Sequence, residues 1–240
     1  MTRRPRRFRR WLRRLLGWSG YIVLALIVMS VTVVAAFRWV DPPTSAFIEQ
    51  HRVAVLRADQ PERGPRQRWV GLDDIHPAVP LAVVASEDQR FPCHHGLDFD
   101  AISDALEERR ESGRLRGAST ISQQVAKNLF LWPGRSFVRK GLEGYLTVLI
   151  ELAWSKERIL EVYLNVAEFG DGVYGVAVAA DEFFARTPAE LEPAQAALLA
   201  AVLPSPKRLD ATEPSDYLRD RQAWILGQMT GLGDDYLDGL

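Results

Sequence analysis

Lysine is scarce in this 240-residue chain: Lys127, Lys140, Lys156 and Lys207 are the only four, and every other basic side chain before counting histidine is arginine. Cysteine is scarcer still. Cys93 stands alone, which excludes an internal disulfide and leaves packing to hold the fold. Alternating apolar and polar runs of strand length are lacking, so the chain reads as mainly α. There is no internal repeat, and no low-complexity tract beyond an arginine-rich start. No acid occurs before Asp41.

The acid-free start has two parts. MTRRPRRFRRWLRR carries eight arginines, and Leu15 to Phe37 follows without a charge. About 23 residues rising about 1.5 Å each suffice to cross a hydrocarbon core of about 30 Å. The run is too long for the apolar stretch of a signal peptide, and Val34-Ala35-Ala36 makes a poor cleavage site, so the reading is an uncleaved anchor. Arginines on its N-terminal side only would keep that end in the cytoplasm and put the rest outside. The expected division is a tail at 1–14, an anchor at 15–37, a Pro-, Gly- and charge-rich stalk at 38–67 and one globular domain at 68–240. Removing the eight arginines from a chain of net charge −1 leaves −9 for residues 38–240, which argues against nucleic acid as a partner. An anion bound there needs a local cluster of cations.

Helical signals dominate from Pro80 onward. Pro80 suits a first helical position, and LAVVASEDQRF is expected to continue the helix as far as Phe91, where Pro92 stops it. Ser119 or Thr120 can cap TISQQVAKNLFL, Ser136 can cap the helix carrying Leu142, Leu146, Leu149 and Ala153, and Ser155 can cap KERILEVYLNVAEF. TPAE at 187–190 is a capping box.

SEDQRFPCHHGLD, residues 86–98, draws attention with two acids, a cysteine and two histidines. Three consecutive ligands diverge, and the other histidines, His51 and His76, supply no second cluster, so zinc is not expected. Cys93 is expected to be a half-buried filler. Glu87 and Asp88, as neighbours on a helix, would point about 100° apart, so only one can face a given cleft. Glu87 falls near the helix C-terminus, where the macrodipole raises a carboxyl pKa and suits it to acid-base work. Downstream, Gln124, Lys127 and Asn128 share a helix face at i, i+3, i+4, as do Arg139, Lys140 and Glu143, with Arg135 just before. The pattern offers either exposed ion pairs or a cationic pocket for a phosphate flanked by two glutamates.

EDQRFPCHHGLD, GASTISQQVAKN, RKGLE with Glu151 beyond it, KERILEVYLNVAEFGDGVYGVAVAA and ALLAAVLPSPKRLD, in that order, resemble the motifs of the family 51 peptidoglycan glycosyltransferases, over about Arg68 to Pro214. Because Ser-x-x-Lys occurs nowhere, the likeness is to the monofunctional biosynthetic members rather than to the bifunctional class A penicillin-binding proteins. The resemblance implies a lysozyme-like helical fold with a small mobile lobe near the membrane, fed by about Phe99 to Arg116. It implies inverting polymerisation of lipid II into β-1,4 glycan strands with release of undecaprenyl diphosphate. Glu87 would be the general base, taking the acceptor hydroxyl proton. Gln124, Lys127, Arg139 and Lys140, with Arg135 as an addition, would contact the donor phosphates. Glu143 would arrange these cations or hold a divalent metal, Mg or Mn, at the pyrophosphate; no organic cofactor is implied. Asp88, Phe91 and His94 would shape the cleft, and Ser119, Thr120 and Asn128 would complete the second motif. Glu151, Glu161, Tyr163 and Asn165 are read as structural. The implied partners are lipid II, the growing glycan chain, the bacterial inner membrane and other cell-wall synthases. Rival readings are a lytic enzyme acting on finished peptidoglycan and a scaffold with a dead site.

Overall fold

The computed structural model describes the backbone of residues 5–112, 119–134 and 136–240. The chain divides into two units, Met1–Val40 and Asp41–Leu240. The first holds one helix, α1 (Pro5–Ala36), which begins inside the arginine-bearing segment rather than after it. Its Trp18–Ala36 portion is, among the described residues, the one helix long and apolar enough to cross a membrane.

The second unit is built from helices with one small sheet. In order they are α2 (Ala46–Arg57), β1 (Arg66–Gln67), α3 (Ala78–Glu87), α4 (Phe99–Ser112), α5 (Ile121–Phe130), α6 (Phe137–Ala153) and α7 (Lys156–Val166), then β2 (Glu168–Gly170), β3 (Val173–Tyr174), α8 (Val176–Phe184), α9 (Pro193–Val202) and α10 (Asp216–Leu232). α3 is apolar on every side, and all of Ala78 to Ala85 is buried, as a helix without a polar face must be. It packs on α9 and α10. The alanines of α9, Ala196, Ala197, Ala200 and Ala201, are fully buried and let backbones approach closely. On the other flank α5 packs against α2, α6 and α7.

The expected caps are present: Thr120 for α5, Ser136 for α6, Ser155 for α7 and the Thr187 box before a short 3-10 turn. Four expectations change. α3 starts two residues before Pro80 and ends at Glu87, since Asp88 takes φ −161° and ψ 73° and turns the chain out of the helix. Glu87 and Asp88 are therefore separated by a backbone break and not by a helical turn. On α6 the buried positions are Glu143, Leu146, Thr147 and Ile150, while Leu142 lies on an exposed apolar face. Residues 46–57 of the expected stalk form a helix whose apolar stripe is weak, with only Ile48 fully buried, so its sequence period is faint. Finally, β1 pairs parallel to β3, and β3 pairs antiparallel to β2; strands of two or three residues are too short to show alternation.

One buried side chain fastens the lead-in segment to α7. Asn165 accepts from the Val70 amide at 2.9 Å and donates to the carbonyls of Val70 and Glu161, each at 2.8 Å. Asn165→Ala leaves the Val70 amide and two carbonyls without these partners, which should destabilise the protein by about 2–4 kcal/mol in chemical denaturation.

Candidate active site

Below Glu87 the turn that follows α3 is held by a buried knot. Asp88 accepts from the Ile121 backbone amide, the first of α5, at 2.9 Å, and from His94 Nε2 at 3.0 Å. Gly96 donates its amide to His94 Nδ1 at 3.1 Å, so that nitrogen is the acceptor and Nε2 carries the proton. Thr120, the α5 cap, donates to the Gly96 carbonyl at 2.6 Å. Gly96 itself has φ +85°, and a Cβ there would meet Thr147 at 2.7 Å and Glu151 at 2.9 Å, so the turn has no room for a side chain. Asp88, His94 and Phe91 are thus buried supports: they join the end of α3 to the start of α5.

Glu87, half-buried, faces α5. Gln124 Nε2 donates to its carboxylate at 2.9 Å, and Tyr163, fully buried on α7, donates to Gln124 Oε1 at 3.3 Å. This chain fixes which way the Gln124 amide points. The Glu87 pKa is raised, first by burial; the Gln124 bond, Arg221 and Lys127 oppose the rise, and Asp88 adds to it. Burial likewise pushes the Tyr163 hydroxyl well above its usual value, which keeps it a donor. Tyr163 was expected to be structural, yet it belongs to the chain that orients the Glu87 carboxylate.

Glu143 on α6 is almost wholly buried. Arg139 reaches one carboxylate oxygen at 2.9 Å and Lys140 the other at 2.5 Å. Lys127 approaches from α5 with its ammonium 5.8 Å from the centre of the Phe47 ring of α2. Its pKa is lowered, chiefly by burial, then by Arg139 and Lys140 against the pull of Glu143 and Glu87. Two cations thus bond to one buried carboxylate, and Lys127 lies near enough to feel its charge. Moreover, Arg139 Nε is buried and, among the described residues, the one buried side-chain nitrogen or oxygen with no hydrogen-bond partner. A buried donor left this way is costly unless an anion completes it.

The remaining expected residues spread around this centre. Ser119 and Thr120 line a cavity of about 240 Å³ beside Glu87, together with Asp98, Asp104 and Trp224. Asn128 is buried on α5. Arg135 and residues 113–116 of the expected mobile segment lie outside the described residues; Phe99–Ser112 is helical. Cys93 is exposed and no filler. Glu151 takes Ser122 and, at 2.9 Å, Lys156, and Glu161 pairs with Arg158 at 3.0 Å, as structural roles require.

The expected metal at Glu143 meets an unsuitable donor set. Both carboxylate oxygens are already bonded to cationic nitrogens, and three positive charges surround them, whereas Mg or Mn needs free oxygen ligands. Among the described residues, His51, Glu168 and Asp171 could converge on an ion, but Lys207 lies 3.4 and 3.6 Å from the two carboxylates and competes for them.

Comparison with known proteins bears on this geometry. The Transglycosylase family model matches residues 53–230. The chain is 53% identical over 229 residues to the biosynthetic peptidoglycan transglycosylase of Xylella fastidiosa (strain 9a5c), covering 95% of this chain and 93% of that protein. It is 50% identical over 236 residues to the protein of that name from Xanthomonas euvesicatoria pv. vesicatoria (strain 85-10), covering 98% and 94%. The counterpart from Xanthomonas campestris pv. campestris (strain B100) is 50% identical over 232 residues, covering 97% and 93%.

The raised Glu87 pKa has a consequence for stability. A carboxyl whose folded pKa lies above its unfolded value favours the fold at low pH, and that contribution is lost as pH rises through the folded value. Glu87→Gln should therefore be more stable than the parent at neutral pH, and the gain should vanish below about pH 4, where the parent carboxyl is protonated in both states. Denaturation midpoints measured across that range check this.

Proposed function

Since the chain belongs to the transglycosylase family and is a peptidoglycan glycosyltransferase with a helical, lysozyme-like fold, we propose that it polymerises lipid II by inverting transfer with Glu87 as general base. The observation that carries this reading is the cationic trio Lys127, Arg139 and Lys140 around Glu143, with a buried Arg139 donor still unmet. A diphosphate leaving group needs that excess of positive charge; a sugar alcohol leaving group does not.

In the proposed step Glu87 takes the proton from the acceptor 4-hydroxyl as that oxygen attacks C1 of the donor sugar. The C1–O bond to the diphosphate breaks, and its electron pair leaves on an anion that Lys127, Arg139 and Lys140 receive. The α-linked donor yields a β-1,4 bond in one displacement, so no covalent glycosyl intermediate forms. Burial makes Glu87 a stronger base than an ordinary carboxylate, and Gln124 holds it in position. Glu143 holds Arg139 and Lys140 on one face and keeps them from pairing elsewhere. No step runs through a metal. The expected Mg or Mn is assigned to the substrate diphosphate, which carries the oxygen ligands that Glu143 lacks.

A membrane-held substrate also accounts for an exposed apolar face. Phe137 and Val138, 98% and 71% exposed, directly precede Arg139 and Lys140, and Leu142, Val148 and Leu152 continue the face along α6. Soluble surfaces seldom keep so much apolar area in one place. We assign this face to the bilayer surface, α1 to a single-pass anchor in the inner membrane with a cytoplasmic N-terminus, and the Asp41–Leu240 unit to the outer side. Other cell-wall synthases remain natural partners for the product.

A lytic reading draws on the raised Glu87 pKa, which also suits a general acid. The two readings separate on substrate. Purified protein given labelled lipid II should form polymer that lysozyme digests, and release of fragments from finished glycan alone would instead support the lytic one. Glu87→Gln should lower polymerisation at least about 100-fold while the protein stays folded. Lys127→Ala should lower kcat about 100-fold or more through the lost charge at the leaving group. Phe137→Ser combined with Val138→Ser should weaken binding of the Asp41–Leu240 unit to vesicles, measured by flotation, without changing its melting temperature.

A further inference from the structure

α10 follows the stretch that carries the family motifs, yet it reaches back to the turn bearing Glu87 at three places. Arg221 donates Nη2 to the Ser86 hydroxyl at 3.2 Å and to the Ser86 carbonyl at 3.4 Å. Gln228 accepts from Gln89 Nε2 at 2.9 Å. Beyond the helix, Tyr236 donates to the Gln89 carbonyl at 2.6 Å. The guanidinium of Arg221 also lies 4.5 Å from the centre of the Trp224 ring, and Trp224 lines the cavity beside Glu87. α10 is docked independently of this contact, through buried Leu218, Ile225 and Met229.

We propose that Arg221 is a positioning residue for Glu87, holding the last turn of α3 through Ser86 and setting a fixed positive charge beside the carboxyl with the Trp224 ring behind it. The inference rests on the reading of Glu87 as general base. The groups that face Glu87 are Gln124 and Lys127 from α5, Tyr163 from α7, the neighbouring Asp88 and Arg221 from α10, with Arg90, Asp98 and Asp104 on the cavity beside it. Lys127 feels the charge of both Glu143 and Glu87 and, in the proposed reaction, goes to the diphosphate. Arg221 is the cation that keeps its place throughout the cycle, so it favours the ionised base without competing for the leaving group. Its aromatic backing matters because a guanidinium held over an indole ring keeps a fixed orientation.

The test uses the full chain in detergent micelles with lipid II as the substrate. Arg221→Gln should move the acidic limb of the polymerisation profile up by about one pH unit, so that kcat on that limb falls by up to about tenfold with little loss in KM. Arg221→Lys should keep the limb in place while recovering only part of kcat, because the charge returns without the bond geometry to Ser86. An unchanged limb in Arg221→Gln, or a loss confined to KM, overturns the inference. A second readout does not depend on catalysis: with isotope-labelled glutamate, the Glu87 carboxyl resonance, identified by its loss in Glu87→Gln, should titrate higher in Arg221→Gln. No movement there overturns the inference even if lipid II proves not to be the substrate, whereas absence of polymer from the parent protein overturns only the proposed function.

Discussion

The structure depends on one constraint, an ionisable carboxyl placed at the end of a helix that is apolar on every side. α3 runs through the middle of the domain, and burial of Ala78 to Ala85 fixes its axis and its end. Glu87 is the last helical residue, so its position follows from the packing of α9 and α10 on α3 and not from any loop. The carboxylate is exposed to little water and carries a raised pKa for that reason first. Everything polar nearby follows from it. Asp88 leaves the helix to bind the start of α5, and through that bond α5 brings Gln124 and Lys127 into place.

The second carboxylate has the opposite environment. Glu143 is also buried, but Arg139 and Lys140 bond to it directly, whereas Glu87 takes its hydrogen bond from the neutral Gln124 amide and feels Arg221 and Lys127 only through their charge. Two glutamates, one ending α3 and one on α6, thus take different roles from the same chemistry. One is left basic, and the other organises cations.

Much of the site was legible in the sequence because it is local. Spacing at i, i+3 and i+4 put Arg139, Lys140 and Glu143 on one face, and Thr120, Ser136 and Ser155 announced their helices as caps. What the sequence hid is long-range. Tyr163 meets Gln124 across 39 residues and Arg221 meets Ser86 across 135, distances over which no periodicity carries information. The end of α3 falls short of the expected Phe91 because no Pro or Gly breaks the chain between Pro80 and Pro92 to mark it, and Phe91 is buried in the turn and not in the helix. The buried stripe of α6 was misread for a related reason: its exposed side is as apolar as its buried one, so pattern alone cannot tell core from outer face.

The central claim is that a buried, raised carboxyl at Glu87 is the group whose ionisation switches polymerisation on. The most direct measurement is the pH dependence of kcat/KM for lipid II with the parent protein. The expected result is an acidic limb, with activity rising through a single ionisation that lies above the usual carboxylate range. Full activity maintained down to about pH 4 would contradict the account, because a base with a raised pKa would be protonated there.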